Sequence, residues 1–527
     1  MKKICIWLLG IFPFLWGCFE DEGNYNYKKL NTITEDGGME WKYTIHEGDG
    51  LKIEPKLHFK YDSVNVNLKY EWLIGDTIIE SEILDVPVYP GPLGYKICNL
   101  KVTDLDIDLP YFFPFAVEVY AKYQTCWLLL SEKDGKSNLS LVREKHEEGA
   151  DGKITTTYFE EFDVYKNVNG RELGSEPVKL IEHFTGKTMG SELAEVWVLQ
   201  NGEKGTVLLN GASLKHESYL AEEFIGDQLP ANFRIKDAMF FCNTHWVLSE
   251  DGKMYSRLSD DQALFHAGRF DPEPVGGKRY HVSLLLPSCF YTLYGGLFFE
   301  KNSKQYMFIY DGPWYPEESG EIRLINWNKY GDNFTPLNEM GDREPIFSAI
   351  RDCGYYAPAY YYCILFDESE QKFYRQYFEF EANYGFGVYP VYEETVFPGN
   401  VLTKESEVAI GRMTPYLFFT GGANQEKLYW LSTESSDPNE LPREFEFDFK
   451  GERITSITIT SDEDLGDRLG VATEQGKFYI FKFDNVILTS GKTQEPLYQM
   501  QGNPGSIKDV IYKVADAQSF WDGKEGR

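Results

Sequence analysis

Short apolar runs in strict alternation mark the first structured region of the chain. Between Trp41 and about Lys122, stretches such as Leu51-Lys-Ile-Glu-Pro-Lys-Leu57 and Val64-Asn-Val-Asn-Leu-Lys-Tyr70 place apolar side chains at every second position. A two-residue period puts one face of a strand in a core and the other in water, so this region is predicted to be half-buried β-sheet. No helix-period segment of useful length appears within it.

Beyond residue 122 the pattern changes to apolar runs that enter a Gly-containing polar turn and leave as a second strand. Cys126-Trp127-Leu-Leu-Leu-Ser-Glu-Lys-Asp-Gly-Lys136 is echoed by His245-Trp246-Val-Leu-Ser-Glu-Asp-Gly-Lys-Met-Tyr255. Looser copies are Val196-Trp197-Val-Leu-Gln-Asn-Gly202 and Leu469-Gly470-Val-Ala-Thr-Glu-Gln-Gly476. Weaker members centre on Leu297, Cys363 and Leu417. Asp-Gly and Asn-Gly supply the positive φ of a tight hairpin turn. The hairpins recur every ~50–70 residues, against ~40–50 for a four-stranded propeller blade, so long loops account for the excess. Closing such hairpins into a ring limits exposed sheet edges, and seven blades are expected. Lys508–Val514 is the expected closing strand of a blade begun near residue 125. Two stacked β-sandwiches are the alternative.

Composition narrows the function classes. The chain has 527 residues, 83 Asp+Glu against 52 Lys+Arg, and a formal net charge of -31. That charge would repel phosphate, which argues against nucleic acid, and none is expected as a partner. Aromatics make up 16% of residues, enough apolar mass to exclude global disorder. The length calls for more than one domain.

The first residues read as an address. Lys2 and Lys3 precede an apolar stretch from Ile4 to Trp16, too short for a membrane span but suited to a signal peptide. It ends in Leu15-Trp16-Gly17-Cys18, which resembles a bacterial lipobox, so Cys18 is the expected lipidation site. The acidic run Phe19-Glu20-Asp21-Glu22 resembles the surface-export signal of Bacteroidetes lipoproteins. The resemblance implies an outer-membrane protein facing the cell exterior and held by its lipid anchor alone.

A second resemblance lies in the alternating region. Tyr70-Glu71-Trp72-Leu73-Ile74-Gly75-Asp76 looks like the Tyr-x-Trp-x-x-Gly-Asp of PKD domains, which are immunoglobulin-like sandwiches. Gly94-Tyr95-Lys96 through Val102-Thr103-Asp104 looks like a later strand of the same domains. Trp72 would fill the space between two sheets, with the later strand on the sheet opposite, and Gly75-Asp76 would turn the chain. Together with Cys18–Tyr27, these motifs resemble the PKD-like lipoproteins of Bacteroidetes. The family resemblance implies SusC/SusD-type importers and other surface lipoproteins as partners, and a peptide or glycan as ligand.

The expected organisation is therefore all-β: a signal peptide (1–17), the lipidated Cys with a tether (18–38), an immunoglobulin/PKD-like β-sandwich (39–122), a β-propeller (123–521) and a tail (522–527).

The search for chemistry returns little. There is no HExxH, GxSxG, Walker loop or GxGxxG following a strand. Cys242-Asn-Thr-His245 has ligand types without a second pair, so no metal is expected. Asp104-Leu-Asp-Ile-Asp108 lacks the Gly and Glu of a calcium loop and reads as a strand face or interdomain linker. Asp462–Asp467 reads as a solvated turn. Cys353 and Cys363 sit where neighbouring strands could be bridged, although most cysteines read as small buried residues. No cofactor is expected, and the chain is not read as an enzyme. A glycoside hydrolase or lyase would instead gather carboxylates or histidines in the central channel, and a structural adhesion module is the third reading. The surface candidates are aromatic: Trp314 and Tyr315, and Tyr355, Tyr356 and Tyr360, whose flat rings suit sugars or peptide side chains.

Overall fold

The computed structural model describes residues 31–514, apart from 62–65, 149–152, 185–193, 242, 259–267, 287–294, 313–317, 326–332, 354–358, 382–386, 436 and 463–464. The chain divides into two compact units, Met1–Val119 and Tyr120–Arg527. None of the described helices is long and apolar enough to cross a membrane.

The first unit is built from β1 (Ile33–Glu35), β2 (Lys42–His46), β3 (Leu51–Ile53), β4 (Leu57–Phe59), β5 (Leu68–Ile74), β6 (Thr77–Ile79), β7 (Leu84–Val86), β8 (Gly94–Asp104) and β9 (Leu109–Tyr120). A five-stranded sheet runs β2-β9-β8-β5-β6, and two short pairs, β1 with β4 and β3 with β7, share its core. β1 already pairs inside the stretch expected to be a tether. Trp72 is fully buried beside Leu100 and Phe115; its indole Nε1 donates to the Ser81 carbonyl at 2.8 Å, and its ring meets Phe115 edge-on at 5.7 Å. Gly75 and Asp76 turn the chain between Ile74 and Thr77 as expected, with Gly75 at φ 55.

One expectation is corrected. β5 and β8 do not face each other across two sheets; they are hydrogen-bonded neighbours in one sheet, with Trp72 opposite Leu100. Alternation identifies the buried face of a strand but is silent on which strand lies beside it. Asp104–Asp108, read as a strand face or linker, forms the turn of the β8–β9 hairpin, where Asp104 Oδ1 accepts from the Asp106 amide at 3.0 Å.

The second unit is a β-propeller. Its first blade contains β10 (Cys126–Lys133), β11 (Lys136–Glu148) and β12 (Ile154–Glu161). The second contains β13 (Pro177–Phe184), β14 (Ala194–Gln200), β15 (Val207–Asn210) and β16 (His216–Tyr219). The third contains β17 (Ile235–Phe240), β18 (Thr244–Ser249) and β19 (Met254–Leu258). The fourth contains β20 (Val282–Leu285), β21 (Gly295–Glu300), β22 (Gln305–Tyr310) and β23 (Glu321–Leu324). The fifth contains β24 (Arg343–Cys353), β25 (Ala359–Asp367), β26 (Lys372–Glu381), β27 (Gly387–Pro390) and β28 (Thr395–Val396). The sixth contains β29 (Val408–Ile410), β30 (Tyr416–Gly421), β31 (Lys427–Ser432) and β32 (Arg443–Glu444). The seventh contains β33 (Ile454–Thr460), β34 (Arg468–Thr473), β35 (Phe478–Lys482) and β36 (Tyr498–Gln499).

The ring is closed by β37 (Ser506–Lys513), which pairs antiparallel with β10 and sets Tyr512 opposite Trp127. This removes the alternative of stacked sandwiches, because the last strand completes the first blade. Among the described residues seven sheets form the blades, and each predicted hairpin is the second-to-third-strand hairpin of one of them.

Apolar packing explains why these strands read as continuous runs. Successive residues of β10 point to opposite faces, and both faces are covered. Leu128 and Leu130 pack with β14 and β15 of the second blade, whereas Trp127 and Leu129 pack with β34 and β35 of the seventh. The same division holds around the ring, with one buried cluster at each of the seven junctions.

Turn chemistry holds at Asp134-Gly135, where φ is 52 and 75, so both residues of the two-residue turn are left-handed. It differs at Asn201-Gly202. There the turn is longer, and Glu203 and Gly205 take the positive φ. Gly202 is needed for space instead, because a Cβ would lie 1.9 Å from Ser175 Oγ.

Candidate functional site: the central channel

The innermost strands, β13, β17, β20, β24, β29, β33 and β37, all line one cavity of about 590 Å³. A recurrent irregularity shapes it. In six of the seven inner strands the register with the second strand slips by one residue at the same place. The extra residue is Val178, Lys236, Ser283, Ile346, Thr455 or Lys508. Such a β-bulge bends a strand and re-aims its side chains. In the sixth blade Glu407 occupies the corresponding place, just ahead of β29. Its amide donates to Thr420 Oγ1 at 2.9 Å, and its carbonyl accepts from the Thr420 amide at 2.9 Å.

The bulges produce a ring of partly accessible side chains at one level of an otherwise buried wall. Lys179 and Asp237 form an ion pair at 2.5 Å. Asp509 joins three inner strands: Oδ2 accepts from the Leu180 amide at 2.8 Å, and Oδ1 accepts from Ser456 Oγ at 3.2 Å and from the Val510 amide at 2.9 Å. Lys508 reaches Glu132 at 3.6 Å. The Glu407 side chain is open to water within the channel yet surrounded by protein. Withdrawal from bulk solvent, followed by the negative charge of Asp509, pushes its carboxyl up to about 7, with Arg453 pulling the other way.

Toward the other end of the inner strands, the polar groups are closed on themselves. Glu182 Oε2 accepts from the Val514 amide at 3.0 Å, and Lys513 Nζ lies 3.8 Å from Glu182 and donates to the Gln124 carbonyl at 2.6 Å. His183 meets Glu195 at 2.7 Å and stacks on Phe240 at 3.8 Å. Arg257 Nε donates to His245 Nδ1 at 3.1 Å, and the same guanidinium pairs with Glu223. His245 is therefore held in a buried structural network.

None of the sequence-predicted candidates is among the described residues that line the channel. Cys18, Trp314, Tyr315, Tyr355 and Tyr356 lie outside the described residues. Tyr360 is half-buried on β25, its ring 6.1 Å from that of Tyr377, and it does not line the channel. Tyr361 and Tyr362, next in the aromatic run, are core residues. Cys363 is a free thiol, so the bridge to Cys353 is not formed. Its Sγ lies 3.0 Å from Ser348 Oγ, and burial pushes it up to about 12. Of the acidic turn Asp462–Asp467, Asp462 Oδ1 accepts from the Leu465 amide at 3.1 Å. Among the described residues, no group of three or more His, Cys, Asp or Glu is arranged to hold a metal ion.

Sequence reading missed the channel residues, although a signal was present. Ile235-Lys-Asp-Ala-Met-Phe240 and Ile507-Lys-Asp-Val-Ile-Tyr512 are copies of one inner-strand motif. In both, the Asp carboxylate accepts from the amide of the next residue, at 2.8 Å in Asp237 and 2.9 Å in Asp509. The hairpin repeats lie on the second and third strands of each blade and do not mark the first.

The fold thus defines an immunoglobulin-like sandwich followed by a seven-bladed propeller whose central channel is lined by both polar and apolar side chains. Residues 18–177 match the PKD-like family. No curated protein matches the sequence. Solved structures similar to this chain include a quinonprotein alcohol dehydrogenase-like protein from Bacteroides thetaiotaomicron, at 10% identity and TM-score 0.38, covering 92% of this chain and 100% of that one. Others are the WD40 domain of Toxoplasma gondii coronin, at 9% identity and TM-score 0.35, covering 76% and 87%, and the Cps50 (Swd1) propeller domain of Myceliophteria thermophila, at 10% identity and TM-score 0.33, covering 62% and 86%. These likenesses carry no weight in the assignment, which rests on the strand pairing and the closure of the ring.

Proposed function

We propose that this chain is a non-catalytic lipoprotein of the outer-membrane surface, anchored through Cys18 and accessory to a SusC/SusD-type TonB-dependent importer. Its propeller captures a peptide or glycan, and ligand held beside the transporter raises the local concentration that the transporter meets. The observation that carries the binding role is the channel: a ligand-sized cavity with convergent polar groups set by repeated bulges. The lipoprotein reading is supported by the family match, which begins at Cys18 itself.

The test is made in the source cell. The chain with Cys18 incorporates labelled palmitate, sediments with outer membranes, is shaved from intact cells by protease and co-purifies with a SusC/SusD pair. Cys18→Ala abolishes the first three. Recovery of the unaltered protein as an unacylated periplasmic species sinks the reading.

A second reading, a glycoside hydrolase or lyase, is favoured by Glu407 standing near Asp509 in the channel. Against it, the Asp509 carboxylate is already committed to two amides and a hydroxyl. Glycan turnover that disappears in Glu407→Gln would establish it in place of the first.

A further inference from the structure

The ring of bulges gives the channel two chemically different walls. The fourth and fifth blades contribute Leu284, Ile346 and Phe347, an apolar surface. The sixth, seventh and first contribute Glu407, Ser456 and Asp509. The charges at this level are unevenly matched. Lys179 and Asp237 neutralise each other, Lys508 leans toward Glu132, and Asp509 receives two amides and a hydroxyl. The Glu407 carboxylate has no hydrogen bond or ion pair among the described residues, and Arg453, the cation that acts on it, lies 3.7 Å from Glu405. A carboxylate on the wall of a protein-lined channel, accessible but without a partner, is poised to take a cation brought in by a ligand. With no set of three metal-ligating side chains here among the described residues, the arrangement suits an organic cation better than a metal ion.

We propose that the channel binds a small organic cation, an amine or guanidinium on an apolar body, with its charge against Glu407 and Asp509 and its body against Phe347, Ile346 and Leu284. A lysine or arginine side chain of a captured peptide has this chemistry, so the proposal deepens the ligand-capture reading and rests on it. The cavity of about 590 Å³ accommodates such a group together with part of the chain that carries it.

The channel also makes the binding pH-dependent. The charges of Asp509 on β37 and of Arg453 ahead of β33 act on Glu407, and Lys179, Asp237, Lys508 and Arg412 line the same channel. Its carboxyl, pushed up to about 7, must be ionised to hold a cation, so affinity rises as the pH climbs through that value.

The test is calorimetric titration of the full chain with phenethylamine, 2-phenylethanol and 3-phenylpropanoate. At pH 8 the amine binds about tenfold or more tighter than the alcohol, and the carboxylate does not bind. At pH 6 the advantage of the amine shrinks by about tenfold. Glu407→Gln removes the preference at both pH values, Glu407→Asp keeps it, and Phe347→Ala weakens amine and alcohol alike. The proposal is overturned if no probe binds, if the alcohol matches the amine, or if Glu407→Gln keeps the preference. Failure here leaves importer association untouched. A protein that binds the amine but never meets an importer sinks only the functional reading.

Discussion

Arg468 of the seventh blade ion-pairs with Glu144 of the first, with the two side chains only 3% and 4% exposed. The pair lies at the junction where the ring closes. Trp127 Nε1 donates to the same carboxylate at 2.8 Å, and the Arg468 guanidinium lies 5.8 Å from the Trp127 ring centre and 5.1 Å from that of Tyr512. Burial alone would raise the Glu144 carboxyl. The His146 contact, the Arg468 charge and the Trp127 indole outweigh it and hold the group at about 2.

Removing one partner therefore strands a buried charge. Glu144→Ala is expected to cost about 3–5 kcal/mol, and the double change Glu144→Leu with Arg468→Met to cost much less than either single change. The sign for acid follows from the lowered value. Stability from Glu144 is fully present above the ordinary carboxylate range and is lost as pH falls from there toward 2. Urea unfolding of each variant between pH 7 and pH 3 checks both statements.

The ring has one seam in sequence, and β37 is its clasp. Deleting Ser506–Lys513 leaves β10 an exposed edge and removes Ile507, Val510 and Tyr512 from the junction with the seventh blade. The truncated chain is expected to aggregate or to lose cooperative unfolding of the propeller, read by size-exclusion chromatography and calorimetry. A monomeric protein with unchanged unfolding would refute the closure.

Glu407 works in the opposite sense to Glu144. Its raised carboxyl binds a proton more tightly in the folded state, so its contribution to stability is fully present below the unfolded value and is lost as pH rises through about 7. Glu407→Gln is expected to raise Tm at pH 8 and to leave it unchanged at pH 4. Equal Tm differences at both pH values would show that the channel around Glu407 does not disfavour its charge.

Thiol chemistry offers a check on the core. Burial pushes Cys126 and Cys363 up to about 12, and both are fully enclosed. The thiolate is the reactive form, so neither is expected to take up iodoacetamide in the native protein at pH 8, and both are expected to do so in denaturant. Site-resolved mass spectrometry reads the result, and rapid native labelling of either would contradict the packing.

Much of the fold is legible in the residues. Trp127, Trp197 and Trp246 mark the second strands of three successive blades, each indole buried and donating to a polar group: Glu144, Glu195 at 2.6 Å and Thr244 at 3.0 Å. Their runs, and the Gly-containing turns after them, are local features, so the count of seven could be made from the chain alone. The motif around Trp72 marks it as core, but nothing local encodes that its strand pairs with β8. Of the aromatic run, Tyr361 packs at the junction of the fourth and fifth blades and Tyr362 at the junction of the fifth and sixth. Apolar character is shared by cores and binding faces, and only burial separates them.

Strand identity, hairpin turns and blade number were determined by the sequence, because each depends on residues a few positions apart. Only the tertiary structure decided the closure and the channel. Ser131 Oγ donates to the Pro504 carbonyl at 2.8 Å across 373 residues, and the wall around Glu407 is assembled from one short inner strand of each blade. Six of these strands contribute an ordinary polar or apolar residue at a bulge, and the sixth blade contributes Glu407 just ahead of β29. Those residues become a site only when the ring brings them to a common axis, and no local pattern encodes that meeting.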